Sequence, residues 1–169
     1  MTVPCDKVDV EFFDTAPSVH RARVEVAATP ERIFDLLHDA EAWVRWAFPI
    51  TAVEWTSGFP LEVGSTRTVH MRGGLVGYEE FIAYEHGSRM AFRFNEASRK
   101  GVRAFAEDYR VSDLGGGRSA VEWTMAMDTG STPKLVDRVV SPVMTAGLRF
   151  MLRRFARLVE SDHTPAGSR

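Results

Sequence analysis

Pro133 to Glu160 reads as a single long helix, and the face it must bury sets the terms for everything before it. Thr132 is placed to cap it, and Pro133 suits a first helical turn, where the missing N–H leaves no internal hydrogen bond unmade. From Met144 the apolar side chains recur at helical spacing, at Leu148, Met151, Phe155 and Leu158, with Leu152 and Val159 widening the stripe. Arg149, Arg153, Arg154 and Arg157 occupy the opposite face. Pro142 removes one backbone hydrogen bond, which predicts a kink or a restart there with Ser141 as a second cap. From Pro142 to Glu160 the helix would span about 28 Å, enough to lie across a whole sheet. A stripe of that length needs a broad, concave partner.

The sequence upstream supplies one. Between Ile50 and Asp128 the apolar residues alternate, in the runs Ile50–Thr56, Ser65–Arg72, Val76–Glu85, Arg89–Asn95, Val102–Ser112 and Arg118–Asp128. Several connectors are short and hold turn residues, Gly73-Gly74, His86-Gly87-Ser88 and Gly115-Gly116-Gly117, so neighbouring strands must run antiparallel. An earlier strand, Val19 to Ala28, sets Ala22, Val24 and Val26 on one face and Arg21, Arg23 and Glu25 on the other. Thr29-Pro30-Glu31 then starts a helix, running to His38, that buries Ile33, Phe34 and Leu37. Asp39 to Trp46 makes a second short helix, with Trp43 and Trp46 three apart on one face.

The fold class that follows is α+β: a curled, seven-stranded antiparallel sheet wrapped around the long C-terminal helix, with two short helices after the first strand. Residues 18–160 make one domain. Residues 1–17 form an N-terminal extension in which Val8, Val10 and Phe12 alternate like an edge strand or a flap, and residues 161–169 form a loose polar tail.

Composition excludes several classes of function. A hydrophobic content of 44% with 26% charged residues marks a globular chain. A formal net charge of −2 gives no footprint for nucleic acid. The basic cluster on the last helix reads either as a solvated face or as a contact for anionic membrane surfaces. Cys5 stands alone, which excludes an internal disulfide or a thiolate metal cluster. His20, His38, His70, His86 and His163 have no metal-ligand spacing, so neither metal nor cofactor is expected. There is no Gly-x-Ser-x-Gly elbow, and Gly115-Gly116-Gly117-Arg118 joins two strands without the Lys-Ser/Thr of a phosphate loop. No stretch has the apolar length to cross a bilayer, and no basic-then-apolar leader opens the chain. The expectation is a cytoplasmic monomer or homodimer with no integral membrane contact.

Phe34-x-x-Leu37-x-Asp39-x-Glu41-x-Trp43-x-x-Trp46, followed by Val63-Gly64-x-x-Arg67, resembles the START-like (SRPBCC) superfamily with the helix-grip fold, and within it the polyketide cyclase/dehydrase and lipid-transport branch. Glu79 ahead of Phe81, Arg89-Met90-Ala91-Phe92, and Tyr109 extend the match, which covers roughly Val19 to Val159. The resemblance implies an elongated cavity between the sheet and the last helix. That fold hosts carriers, hormone sensors, cyclases and chaperone partners. It therefore implies, in order, a binding or carrier protein for a hydrophobic small molecule (lipid or polyketide-like), a polyketide cyclase/aromatase-type enzyme using the same cavity, or a protein-interaction module.

Strand alternation says what would line such a cavity. Ser119, Val121, Trp123, Met125 and Met127 share a face, as do Phe105, Glu107, Tyr109 and Val111, and also Met90, Phe92 and Phe94. With Met144, Leu148, Met151 and Phe155 from the helix, these make either a filled core or an adaptable wall rich in Met and aromatics. The expected ligand-binding set is Phe92, Phe94, Phe105, Tyr109, Trp123, Met125, Met144, Leu148, Met151 and Phe155, with Arg67 and Glu79 as its polar members. The Gly73-Gly74 turn brings Arg67 across from Glu79 and Glu80; register decides which glutamate points inward, and the resemblance favours Glu79. That pairing is either a satisfied buried ion pair or an anchor for a ligand carboxylate or hydroxyl. Glu107 and Tyr109 are the catalytic candidates, as base and hydrogen-bond donor to an enolate, with Arg67 the third. Arg103 falls on the same face, nearer the strand end. Access is expected between the loops near Gly73, Glu96–Gly101 and Thr129–Thr132 and the start of the last helix.

Overall fold

Alternating residues and turn glycines shape the chain as expected. The structure, a computed structural model, describes residues 2–130 and 134–161, with residues 134–140 described by backbone alone. In chain order the elements are β1 (Val3–Pro4), α1 (Phe12–Thr15), β2 (Ser18–Val26), α2 (Pro30–His38), α3 (Ala40–Trp46), β3 (Ile50–Trp55), β4 (Thr66–Met71), β5 (Val76–Glu85), β6 (Arg89–Ala97), β7 (Ala104–Gly115), β8 (Arg118–Asp128) and α4 (Lys134–Ser161). The sheet runs β2-β8-β7-β6-β5-β4-β3, antiparallel at every step. Its two edges, β2 and β3, are therefore joined by α2 and α3.

The sharp corner between those helices comes from Asp39, which ends α2 and caps α3 by accepting from the Glu41 backbone N–H. At the other end of α2, the Thr29 side chain accepts from the Arg32 N–H and Pro30 takes the first turn. Two indole N–H groups fasten the C-terminal end of α2: Trp43 donates to the Leu37 carbonyl at 2.8 Å and Trp55 to the His38 carbonyl at 2.9 Å. This places Trp43 and Trp46 over the concave face of the sheet, inside the main core with Phe34, Phe81, Phe92 and Phe155.

From Leu148 onward α4 closes that core. Leu148, Leu152, Phe155, Leu158 and Val159 are buried, while Arg149, Arg153 and Arg157 are exposed. Arg154 turns back to donate to the Arg45 carbonyl. The helix continues through Pro142, so the expected restart with Ser141 as a second cap does not form. One missing hydrogen bond there is outweighed by the packed turns that follow. The expected cap Thr132, with Pro133, lies outside the described residues.

The N-terminal extension departs most from expectation. Val8, Val10 and Phe12 belong to no strand. Val3 and Pro4 instead pair with Ala97 and Glu96, where β6 has run beyond its pairing with β7. The short α1 seats Phe13 on the outer face of the sheet, against Ala91, Ala106 and Ala126, with Val8, Val10 and Phe12 around it. Three alanines on adjacent strands leave a shallow apolar seat, and burying it is worth more than another edge strand. Among the described residues, no helix is long and apolar enough to cross a membrane.

Candidate functional site

The concave face of the sheet, α3 and α4 do not pack to contact everywhere. They leave a half-open cavity of about 210 Å³ between them. Arg67, Glu79, Phe94, Phe105, Glu107, Tyr109, Trp123, Met125, Met144, Leu148 and Met151 line it, Glu79 expected from the resemblance and the others from strand alternation and helix spacing. Phe92 and Phe155, expected beside them, lie in the packed layer behind: Phe92 stacks on Tyr109, and Phe155 meets Trp46 edge-on at 5.1 Å. The sequence reading omitted Trp43, Trp46, Pro49 and Ile50, which reach the cavity only because α2 and α3 cross the concave face. It also omitted Val69 and Met71, although they follow Arg67 at two-residue spacing on β4 and share its face.

One end of the cavity is apolar. Ile50, Met71, Met127 and Met144 lie there, next along the chain to the Gly73-Gly74 turn and to Asp128. The other end is polar. Arg67 and Glu79 stand directly opposite in the β4–β5 register and form a hydrogen-bonded ion pair, 1% and 4% exposed. Glu80, one residue on, faces outward, where it accepts from Asn95 at 2.6 Å and pairs with Arg93, so register selects Glu79 as the resemblance implied. The Arg67 guanidinium lies between the rings of Trp43 and Phe92, its Cζ 4.3 Å from each centroid. Aromatic faces thus stabilise a cation that has lost its water. Burial pushes the Glu79 carboxyl up, and the Arg67 charge and hydrogen bond oppose that shift. Glu79 holds the guanidinium through its carboxyl oxygen.

Glu107 differs. It accepts from the Tyr109 hydroxyl at 2.9 Å. Burial, reinforced by the nearby Glu79 charge, pushes its pKa up to about 8, against the opposing pull of the Tyr109 hydrogen bond, Arg67 and Trp123. At neutral pH Glu107 is therefore mostly a neutral acid. Tyr109 is raised well above its ordinary value by burial and then by Glu107, so it stays a phenol. Its ring is stacked between Phe92 and Trp123, at 6.1 and 5.4 Å.

Three donors here stand without an acceptor. Arg67 Nη1, Trp46 Nε1 and Trp123 Nε1 are buried without a hydrogen-bond partner, each on a residue that lines the cavity. The Trp123 N–H lies near enough to Glu107 to favour its ionised form, yet outside ordinary hydrogen-bond geometry. Arg103, placed by the sequence on this face, is instead exposed and donates to Asp6 at 2.9 Å, because the segment after β1 brings that carboxylate alongside. Among the described residues, no group of three or more His, Cys, Asp or Glu is placed to hold a metal ion. A larger groove of about 710 Å³ on the outer face is lined by charges that pair with one another, Arg23 with Glu122 and Arg110 with Asp108.

A sequence model described as polyketide cyclase / dehydrase and lipid transport matches residues 19–160. An uncharacterised protein of Mycobacterium tuberculosis strain H37Rv is 47% identical over 163 residues, spanning 96% of this chain and 97% of that one, and one from Mycobacterium bovis matches equally. At lower identity the fold is shared with an aromatase/cyclase from Streptomyces sp. R1128 (TM-score 0.71, 17% identical, 89% of this chain and 98% of that one). It is also shared with a START superfamily protein from Mycobacterium smegmatis (TM-score 0.63, 13% identical, 85% and 95%).

Proposed function

Because the chain belongs to the polyketide cyclase/dehydrase and lipid transport family, we propose that it binds a hydrophobic small molecule under α4, polar end toward Arg67, Glu107 and Tyr109. The observation that carries this reading is the cavity itself: an unfilled, mostly apolar space with a few convergent polar groups at one end. A dry apolar cavity on the order of 150 Å³ already accepts benzene, so about 210 Å³ suits a compact ring system. The methionines at positions 71, 125, 127, 144 and 151 let the wall adapt to other shapes. Binding needs only this space, which is why carriage or sequestration stands first.

Glu107 supports a second reading. A carboxyl whose pKa lies at about 8, hydrogen-bonded to Tyr109, is suited to general acid–base work near neutral pH, as in a cyclase/aromatase. Mostly protonated, it would donate to a developing enolate oxygen, not act first as the base the sequence suggested.

Native mass spectrometry of freshly purified protein should show a co-purifying small molecule. An environment-sensitive hydrophobic dye should bind at one saturable site and quench tryptophan emission, since Trp43, Trp46 and Trp123 all line the cavity. Met125→Trp should weaken the dye and leave the thermal melt cooperative. A protein that takes up no hydrophobic probe saturably would rule the proposal out.

A further inference from the structure

We infer that the ligand presents a neutral hydrogen-bond acceptor, a carbonyl-type oxygen, to the polar end of the cavity, and that the site discriminates against carboxylates. This deepens the binding proposal and rests on it.

Buried donors without acceptors border the cavity. Trp43 and Trp55 show that this fold satisfies a buried indole where it can, each through a backbone carbonyl. Trp46 and Trp123 are equally buried, at 1% and 3% exposed, and their N–H groups have no partner; nor does Arg67 Nη1. Buried donors left unpaired are unfavourable and uncommon in native proteins. Glu79 and Glu107 turn one oxygen each to Arg67 and to Tyr109, and neither meets the open N–H groups in hydrogen-bond geometry. What these N–H groups lack is an acceptor placed to meet them, and a ligand oxygen in the cavity would supply it.

Charge selects the same kind of ligand. Arg67 is already neutralised by Glu79, so a ligand carboxylate would be a second anion facing one cation in a desolvated space. The site resists such an anion from its own residues, because burial and the Glu79 charge hold Glu107 in its neutral form. A carbonyl oxygen accepts from the open N–H groups and adds no charge. The sequence-based idea of Arg67 as an anchor for a carboxylate gives way on this point, since Glu79 occupies that role.

The test uses three probes of one shape on the full chain at pH 7, followed by calorimetry: naphthalene, 2-acetylnaphthalene and 2-naphthoate. The ketone should bind about tenfold more tightly than the hydrocarbon, and the carboxylate about tenfold more weakly than the ketone. Trp46→Phe and Trp123→Phe keep a ring but delete an N–H. Either variant that melts cooperatively should lose several-fold more affinity for the ketone than for naphthalene. Naphthoate binding as tightly as the ketone, or ketone and naphthalene binding alike, would overturn the inference and leave the binding site standing. If none of the three probes binds, the site itself is wrong and the inference falls with it.

Discussion

Glu107 and Asp108 are neighbours on β7, on opposite faces of the sheet, and both are buried. Asp108 faces outward at 3% exposed and is held by Arg89 through two hydrogen bonds, at 3.0 and 2.8 Å, and by Arg110 at 3.0 Å. Glu107 faces inward, accepts from a tyrosine hydroxyl, and has no ion pair among the described residues. The outer cluster is closed, with guanidinium geometry matched to carboxylate geometry. The inner cluster is open, with a cation that keeps a free N–H, two indoles without acceptors, and an acid driven neutral. Burial alone does not separate a structural ion pair from a binding site. Incomplete pairing does, since polar groups that burial leaves unsatisfied await a partner from outside the chain.

The bluntest way to break this contrast is to remove the cover of the inner face. A chain ending before Ser141 loses Leu148, Leu152, Phe155 and Val159 from the core while its outer face keeps the N-terminal seat. Each such side chain contributes roughly 1.5–3 kcal/mol, against a total stability of about 5–15 kcal/mol. The shortened chain should be unfolded or aggregated by circular dichroism and light scattering. A soluble product with a cooperative melt would mean that the inner face needs no helix.

Arg67→Met comes next. It leaves Glu79 buried without its counter-charge and removes the cation from between Trp43 and Phe92. The expected loss is about 3–5 kcal/mol at pH 7 by denaturant titration. A much smaller loss would show that Glu79 accepts a proton at little cost and that the pair is not what holds this end of the sheet.

Glu107→Gln has a smaller effect of opposite sign, and pH reveals it. Below its ordinary value of 4.5, Glu107 is protonated in both folded and unfolded chains and has no effect. Between 4.5 and about 8 the folded chain keeps a proton that the unfolded chain releases, so stability falls as pH rises, and above about 8 the loss is complete. Glu79, also raised, tilts the profile the same way, with Arg67 opposing. The glutamine keeps an oxygen for Tyr109 and cannot ionise. Its melting temperature should vary less between pH 5 and 8, and at pH 8 it should be more stable than the wild type by about 1–3 kcal/mol. Parallel profiles for the two proteins would place Glu107 in ordinary contact with water.

Much of this was legible from local pattern. Strand boundaries follow from period-two alternation, the α2 cap from Thr29-Pro30, and the shared inward face of Phe105, Glu107 and Tyr109 from two-residue spacing. What stayed hidden depends on residues that meet only through register. The seat for Phe13 is built from Ala91, Ala106 and Ala126, one from each of three strands, so the alternation at Val8, Val10 and Phe12 fitted an edge strand as well as a flap. Trp46 was visible as sharing a helix face with Trp43, but its place at the cavity follows from α3 crossing the concave face. Arg103 has the right parity for the inner face and is drawn away by Asp6, a hundred residues earlier in order of magnitude. The neutral form of Glu107 has no sequence signal at all, because desolvation belongs to the assembled site.

The smallest effect belongs to the closed cluster. Arg110 contributes one hydrogen bond to Asp108, and its side chain is 57% exposed. Asp108 keeps both bonds from Arg89 when Arg110 is replaced, so no buried carboxylate is left alone. Arg110→Met should therefore cost under about 1 kcal/mol, as an exposed pair does, and added salt should shrink the difference further. Since the outer face does not border the cavity, the variant should also bind 2-acetylnaphthalene with wild-type affinity. Replacing Arg67 and Arg110 in parallel under one buffer tests the contrast directly, because both are arginines paired with a buried carboxylate on this sheet. Equal losses of stability would mean that redundancy of pairing does not distinguish the two faces.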